Sequence, residues 1–267
     1  MRLPKTKLKL MPRRNRSNYG IGAQGLRPPE AAIAEDKSAG DSSPPPPLLM
    51  LGHRGARLYA PENTFAAFDL ALEHGADGFE FDLRLTANRR IFICHDPKFQ
   101  GLSIGRSSLK QLQSCASGEG RHSLCLEDVA QRYAASAFLN LEIKVRGMER
   151  LVHRIFRRFP LQRGYFISSF LPGVLRELHA MNESLILGTL SHTVWQLRRW
   201  EKLPAAYVVP NYRLLSRRLV EEVHAAGRKV IVWTVNEPRQ MKRAVDLGVD
   251  GIISDDTKLM VEVLGRR

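Results

Sequence analysis

From Leu48 onward, short apolar runs alternate with stretches whose apolar positions fall three and four apart, the periods of strand and helix. LLMLGH (48–53), GFEFDLRL (78–85), FLNLEIK (138–144), GYFISSF (164–170), SLILGTL (184–190), AYVVP (206–210), KVIVWTV (229–235) and DGIISD (250–255) read as eight strands. Residues 61–74 predict a helix: Pro61 and Asn63 stand at its start, Phe65, Phe68 and Leu72 are spaced i, i+3, i+7, and Gly75 follows its end. Eight strands separated by helical segments predict an α/β fold, a (β/α)8 TIM-type barrel.

RIFICHD breaks the alternation. Only about four residues separate it from the strand before, too few for a parallel crossover, so the pair forms an antiparallel hairpin. With the turn near Asn88, facing residues sum to about 177, which returns His95 beside Phe81 and Asp82. The barrel is therefore predicted with a hairpin extension after its second strand.

In GFEFDLRL, Phe79, Phe81, Leu83 and Leu85 point one way, under the helices, while Glu80, Asp82 and Arg84 point into the barrel mouth. LNLEIK repeats the design, with Asn140, Glu142 and Lys144 inward. Glu80, Asp82 and Glu142 would repel one another without a cation between them, and three carboxylates suit Mg²⁺ or Ca²⁺ better than zinc. Spacing alone does not decide between such a site and ion pairing of Glu142 with Lys144 and of Asp82 with Arg84. HRGA at the end of the first strand adds His53 and Arg54 at the rim where barrel active sites are built. Two histidines, an arginine, a lysine and a carboxylate trio suit phosphoryl chemistry: cations hold anionic oxygens while two imidazoles act as base and acid.

Composition changes the picture only in part. The 267 residues carry 41 basic and 27 acidic side chains, a formal charge of +14, which favours anionic partners without choosing among substrates, membranes and nucleic acid. The patches at 146–158 and 198–202 read first as solvated helix faces. Three cysteines without a CxxC pair indicate neither a zinc knuckle nor a secreted disulfide framework and favour a reducing compartment. Residues 1–47, basic and ending in PPPP, read as a flexible, disordered arm ahead of one barrel domain, 48–267. No secretory or membrane-spanning segment is read, so a cytoplasmic location is expected, with organellar targeting by the arm left open. Asn63 and Thr64 are read as helix caps, and Ser168 and Ser169 lack the context of a serine hydrolase.

LGHRGARLYAPENTFAAFDLALEHGADGFEFDLRLT, the later CHD, LNLEIK, the SSF of 164–170 and VIVWTVNEPRQMKRAVDLGVDGIISDD together resemble the glycerophosphodiester phosphodiesterase family, from Leu48 to the C-terminus. The resemblance implies metal-dependent hydrolysis of a glycerophosphodiester substrate to sn-glycerol 3-phosphate and an alcohol, through a cyclic phosphate. It implies His53 and His95 as the acid/base pair, Glu80, Asp82 and Glu142 as ligands of one divalent cation, Mg²⁺ or Ca²⁺, and Arg54, Lys144 and Trp233 as substrate contacts. The chain departs from the family pattern after CHD, where a shortened segment, 97–129, leaves the leaving group undetermined. Two rivals stand beside this reading: a lysophospholipase D-type enzyme in peripheral contact with an anionic membrane through Trp195, Trp200 and Phe170, and an anion- or nucleic-acid-binding protein without catalysis, although no specific nucleic acid is expected.

Overall fold

The computed structural model describes residues 48–117 and 124–265; the predicted arm, 1–47, lies outside them. The elements in chain order are β1 (Leu49–His53), α1 (Phe65–Glu73), β2 (Gly78–Leu85), β3 (Ile91–Ile93), β4 (Lys98–Phe99), β5 (Leu102–Ser103), α2 (Leu109–Ser117), α3 (Leu126–Tyr133), β6 (Phe138–Ile143), α4 (Glu149–Arg158), β7 (Tyr165–Ser169) and α5 (Pro172–Met181). They continue as β8 (Leu187–Ser191), α6 (Val194–Leu197), β9 (Tyr207–Pro210), α7 (Arg217–Ala225), β10 (Lys229–Val232), α8 (Pro238–Asp246), β11 (Gly251–Ser254) and α9 (Thr257–Leu264).

The predicted barrel is present. Eight parallel strands run in the order β1-β11-β10-β9-β8-β7-β6-β2, and pairing of β1 with β2 closes the ring. All eight sequence-read strands coincide with these; 78–85 matches end to end, and the others differ by one to three residues at their ends. Alternation sorts the side chains. Leu51, Phe166, Leu190, Val209, Ile231 and Ile253 fill the barrel interior as one apolar cluster. On the outer face of β2, Phe79 and Phe81 pack under the helices; Phe79 stacks on Phe68 of α1 at 4.1 Å, with Tyr133 of α3 edge-on at 5.0 Å.

β3 pairs antiparallel with β2, as predicted, but partners sum to 176 (Leu83 with Ile93, Leu85 with Ile91) and the strand ends at Ile93. The reason lies in the turn, where the residue with positive φ (57°) is Arg89. Asn88 uses its side chain instead, accepting from Thr86 Oγ1 and from the Leu109 amide. The segment after His95 forms the β4–β5 hairpin and α2; Ile104, Leu109 and Leu112 pack on Phe92 and Cys125. It covers the β2–β3 hairpin. Among the described residues no helix is long and apolar enough to cross a membrane.

Candidate active site

Inward alternation carries six polar or aromatic side chains to the C-terminal rim: His53 after Leu49 and Leu51, Glu80 and Asp82 on β2, Glu142 on β6, and Trp233 and Asp255 two residues beyond the inward Ile231 and Ile253. The turn after β1 needs Gly55, whose φ is +83° and whose added Cβ would lie 2.6 Å from the Ala67 carbonyl. That turn swings Arg54, itself at φ 56°, across to β2, and its amide donates to Glu80 Oε2 at 3.0 Å.

His53 is held from both sides. Its Nδ1 lies 2.6 Å from Asp255 Oδ1, and its Nε2 is 3.9 Å from Glu80 Oε2. Burial lowers the His53 pKa, against the upward pull of the Asp255 hydrogen bond. Asp255 stays ionised: burial pushes its pKa up, but the His53 bond, Asn236 and Arg57 outweigh this and the net shift is downward. Asn236 donates from Nδ2 to Asp255 Oδ2 at 2.7 Å and accepts the Asp255 amide at 2.9 Å. An ionised Asp255 assigns the His53 proton to Nδ1 and leaves the Nε2 lone pair facing the mouth.

The carboxylates lie beside it. In the β2–β6 register Asp82 stands opposite Glu142, and oxygens of buried Glu80, Asp82 and Glu142 all fall within 4.8 Å of one another. Burial, then Asp82 and Glu142, push the Glu80 pKa well up. Burial and Asp82 likewise push Glu142 up to about 7, against Lys144. Asp82 is the exception: burial raises its pKa, but Lys144, Arg54 and the Asn63 hydrogen bond overcome that and hold it low. Lys144 Nζ lies 2.7 Å from Glu142 Oε1 and 3.2 Å from Asp82 Oδ1, while Arg54 Nε is 3.3 Å from Asp82 Oδ2 and its Nη1 donates to Glu62 Oε1 at 2.8 Å.

A divalent cation fits this set. Three carboxylates face two cationic side chains, Glu80 Oε1 is buried without a hydrogen-bond partner, and Asp82 Oδ1 has only the Lys144 charge, without hydrogen-bond geometry. Such all-oxygen donors match Mg²⁺ or Ca²⁺. The ion-pair alternative is half realised: Glu142 does pair with Lys144, but Asp82 does not pair with Arg84. Arg84 instead donates through Nε and Nη2 to the His95 carbonyl, at 2.8 Å for Nε.

That contact and the Cys94 amide, which donates to the Asp82 carbonyl at 3.0 Å, hold the chain of His95 against the cluster. The Cys94 bond runs backbone to backbone. The His95 ring is partly exposed, with Asp96 Oδ1 2.9 Å from Nδ1. Across the mouth, Trp233 is half-buried, donates to the Val209 carbonyl at 3.0 Å, and lies between Phe170 and His192 with ring centroids 5.6 and 5.9 Å away. Every site residue expected from the sequence thus stands on one rim.

Two residues take roles beyond those predicted from the sequence. Thr64 alone caps α1, accepting the Ala67 amide; Asn63, at φ 59°, donates from Nδ2 to Asp82 Oδ2 at 2.9 Å and accepts the Asp82 amide. Its amide chemistry serves the carboxylate rather than the helix. Asp255 also belongs to the site: strand alternation places it inward, two residues beyond Ile253, while its pairing with His53 arises only from closure of the ring. Ser168 and Ser169 are buried and tied to Asn140 and the Ile143 carbonyl, away from any nucleophilic role.

This geometry provides a buried base with a free lone pair, a more exposed second imidazole, guanidinium and ammonium charge, and a cation site. The sequence model described as the glycerophosphoryl diester phosphodiesterase family matches residues 53–259. A glycerophosphodiester phosphodiesterase of Bacillus altitudinis is 30% identical over 77% of the chain and 94% of that protein. A human lysophospholipase D is 26% identical over 78% of the chain and 84% of its own length. Among solved structures, an Oleispira antarctica phosphodiesterase in complex with its product sn-glycerol-3-phosphate superposes with a TM-score of 0.71, at 24% identity, over 82% of this chain and 97% of that one.

Proposed function

The chain belongs to the glycerophosphoryl diester phosphodiesterase family, whose members hydrolyse glycerophosphodiesters, and from that premise we propose that His53 and His95 perform the reaction as base and acid beside a cation held by Glu80, Asp82 and Glu142. The observation that carries this reading is the His53 environment: a buried imidazole, oriented by Asp255, with Nε2 toward the carboxylate cluster. Membership of an enzyme family removes the reading as a binding protein without catalysis.

The substrate glycerol's 2-hydroxyl attacks phosphorus, and His53 Nε2 takes its proton as the new P–O bond forms. The bond to the leaving alcohol breaks, and His95 gives that oxygen a proton. In the second half His95, now neutral, takes a proton from water as its oxygen attacks the cyclic phosphate; the P–O2 bond breaks and His53 returns the proton to O2. The products are sn-glycerol 3-phosphate and the free alcohol. Arg54 and Lys144 place positive charge beside the phosphoryl oxygens, and their bonds to Asp82 and Glu142 fix where that charge sits. A bound divalent cation supplies Lewis-acid polarisation of a phosphoryl oxygen and lowers the pKa of the attacking hydroxyl. Trp233 offers the glycerol carbons an apolar wall. The lowered His53 pKa keeps this ring neutral, as a base must be, at neutral pH.

Release of sn-glycerol 3-phosphate from glycerophosphocholine and glycerophosphoethanolamine tests the reading, with EDTA, Mg²⁺ or Ca²⁺. Cation-dependent release abolished by His53→Ala and by Glu80→Ala supports it; release indifferent to EDTA sinks the cation site. Lysophospholipase D-type action is the second reading, favoured by the exposed apolar side chains on the rim described below. Turnover of lysophospholipid with none of the soluble diesters would put it first.

A further inference from the structure

Large apolar side chains left in water carry a cost, so where they gather is informative. Among the described residues five are exposed, and four of them lie on the rim that bears the site: Leu58 (63% exposed) and Tyr59 (46%) in the loop after β1, and Val194 (55%) and Trp195 (65%) after β8. In the ring order β1 and β8 stand across the barrel from one another, so the two pairs flank the mouth.

The β8 side is the more built. Thr193 and Gln196 form a capping box that fixes α6, a single turn presenting Val194 and Trp195. The Arg199 guanidinium lies 3.3 Å from the centroid of the Trp195 ring. Between Ile186 and Leu215, Arg198, Arg199, Lys202 and Arg213 face one acidic residue, Glu201. Three residues before Trp195, His192 touches the Trp233 ring, which Phe170 meets on another side, so an aromatic wall runs from the mouth to the rim. Trp200, by contrast, is buried and takes no part in this surface, contrary to the sequence expectation.

We propose that this rim docks on an anionic lipid surface, with Trp195 and Val194 entering the headgroup region, Arg198, Arg199 and Arg213 facing acidic headgroups, and the mouth turned toward the membrane. An apolar tip ringed by guanidinium groups matches that interface, where indole rings settle at headgroup depth and basic side chains meet negative surface potential. A second copy of the chain would bring the basic residues against themselves, which disfavours it as the occupant. The enzyme then works where lipid-borne phosphodiesters lie. That consequence rests on the phosphodiesterase reading, whereas the docking itself does not.

Full-length protein is mixed with phosphatidylcholine vesicles, with or without 30 mol% phosphatidylserine (about the charge of a cytoplasmic leaflet), and sedimented. Wild type should bind the anionic vesicles and show a blue shift in tryptophan emission. Trp195→Ala combined with Val194→Ser should bind roughly tenfold more weakly and lose the shift, and Arg198→Glu should weaken binding about fivefold. Turnover of a soluble glycerophosphodiester should be unchanged in both variants, so a failed docking proposal and a failed phosphodiesterase reading give separate signals. Binding undiminished in the double variant would place the contact elsewhere, in the basic residues 1–47 for instance, and overturn the proposal. So would absence of binding to either vesicle, or a dimer in solution that the double variant dissolves.

Discussion

The two sides of the barrel mouth are made from strands of the same kind and end differently. On β1, β2 and β6 the inward positions finish in His53, Glu80, Asp82 and Glu142, with Arg54 and Lys144 threaded between them. On β7 and β10 they finish in Phe170 and Trp233. The first side concentrates buried charge, which is costly unless every charge has a partner; the second exposes rings and little that titrates. The proposed reaction chemistry therefore falls to the first side, and the proposed recognition of the substrate body to the second.

The sharpest way to break that division is to cut each side. His53→Ala and Glu80→Ala should each lower kcat/KM by about 10³-fold or more, with kcat falling, since on the proposed mechanism the first removes the base and the second a ligand of the cation. Asp255→Asn should cost about 10²-fold, because the amide no longer favours the Nδ1 proton. Its pH profile gives the sign: the Asp255 bond raises the His53 pKa, so its loss moves the acidic limb to lower pH. A purely structural role for Asp255 would leave that limb in place. Asn63→Ala should reduce activity about tenfold and stability by about 1–3 kcal/mol by denaturant unfolding, because the buried Asp82 amide loses its acceptor. Trp233→Ala on the other side should raise KM about tenfold with kcat nearly kept; a larger fall in kcat than in Asn63→Ala would erase the distinction between the sides.

The cation sharpens the same comparison with a smaller effect. Glu142, up at about 7 without an ion, and Glu80, which burial and the neighbouring carboxylates also push up, hold protons that a cation must displace. Raising the pH through 7 removes that competition, so the increase in Tm caused by added Mg²⁺ or Ca²⁺ should be greater at pH 8 than at pH 6. Equal increases at both pH values would mean that the ion binds elsewhere.

Much of this was legible because strand alternation is local. Phe79 and Phe81 against Glu80 and Asp82 fixes an outer and an inner face within five residues, and HRG at a strand end puts His53 and Arg54 on the rim. The unread parts depend on distance. Asp255 meets His53 across 202 positions of chain, through closure of the ring by β11 against β1, and no local pattern couples them. Asn63 was read as a cap because Asn and Thr side chains compete for the same duty at a helix start; only the fold brings Asp82 within its reach. The hairpin register slipped by one because Arg89, not Asn88, adopts the positive φ.

The division of labour between the two histidines is the central claim, and it is tested by release of the leaving alcohol in a single turnover of two substrates at saturating cation. One carries choline as leaving group, the other p-nitrophenol, which departs without needing a proton. If His95 is the acid, His95→Ala should slow first-step release of choline about 10²-fold or more and that of p-nitrophenol far less, whereas His53→Ala slows both. Equal losses on both esters in His95→Ala would contradict the account.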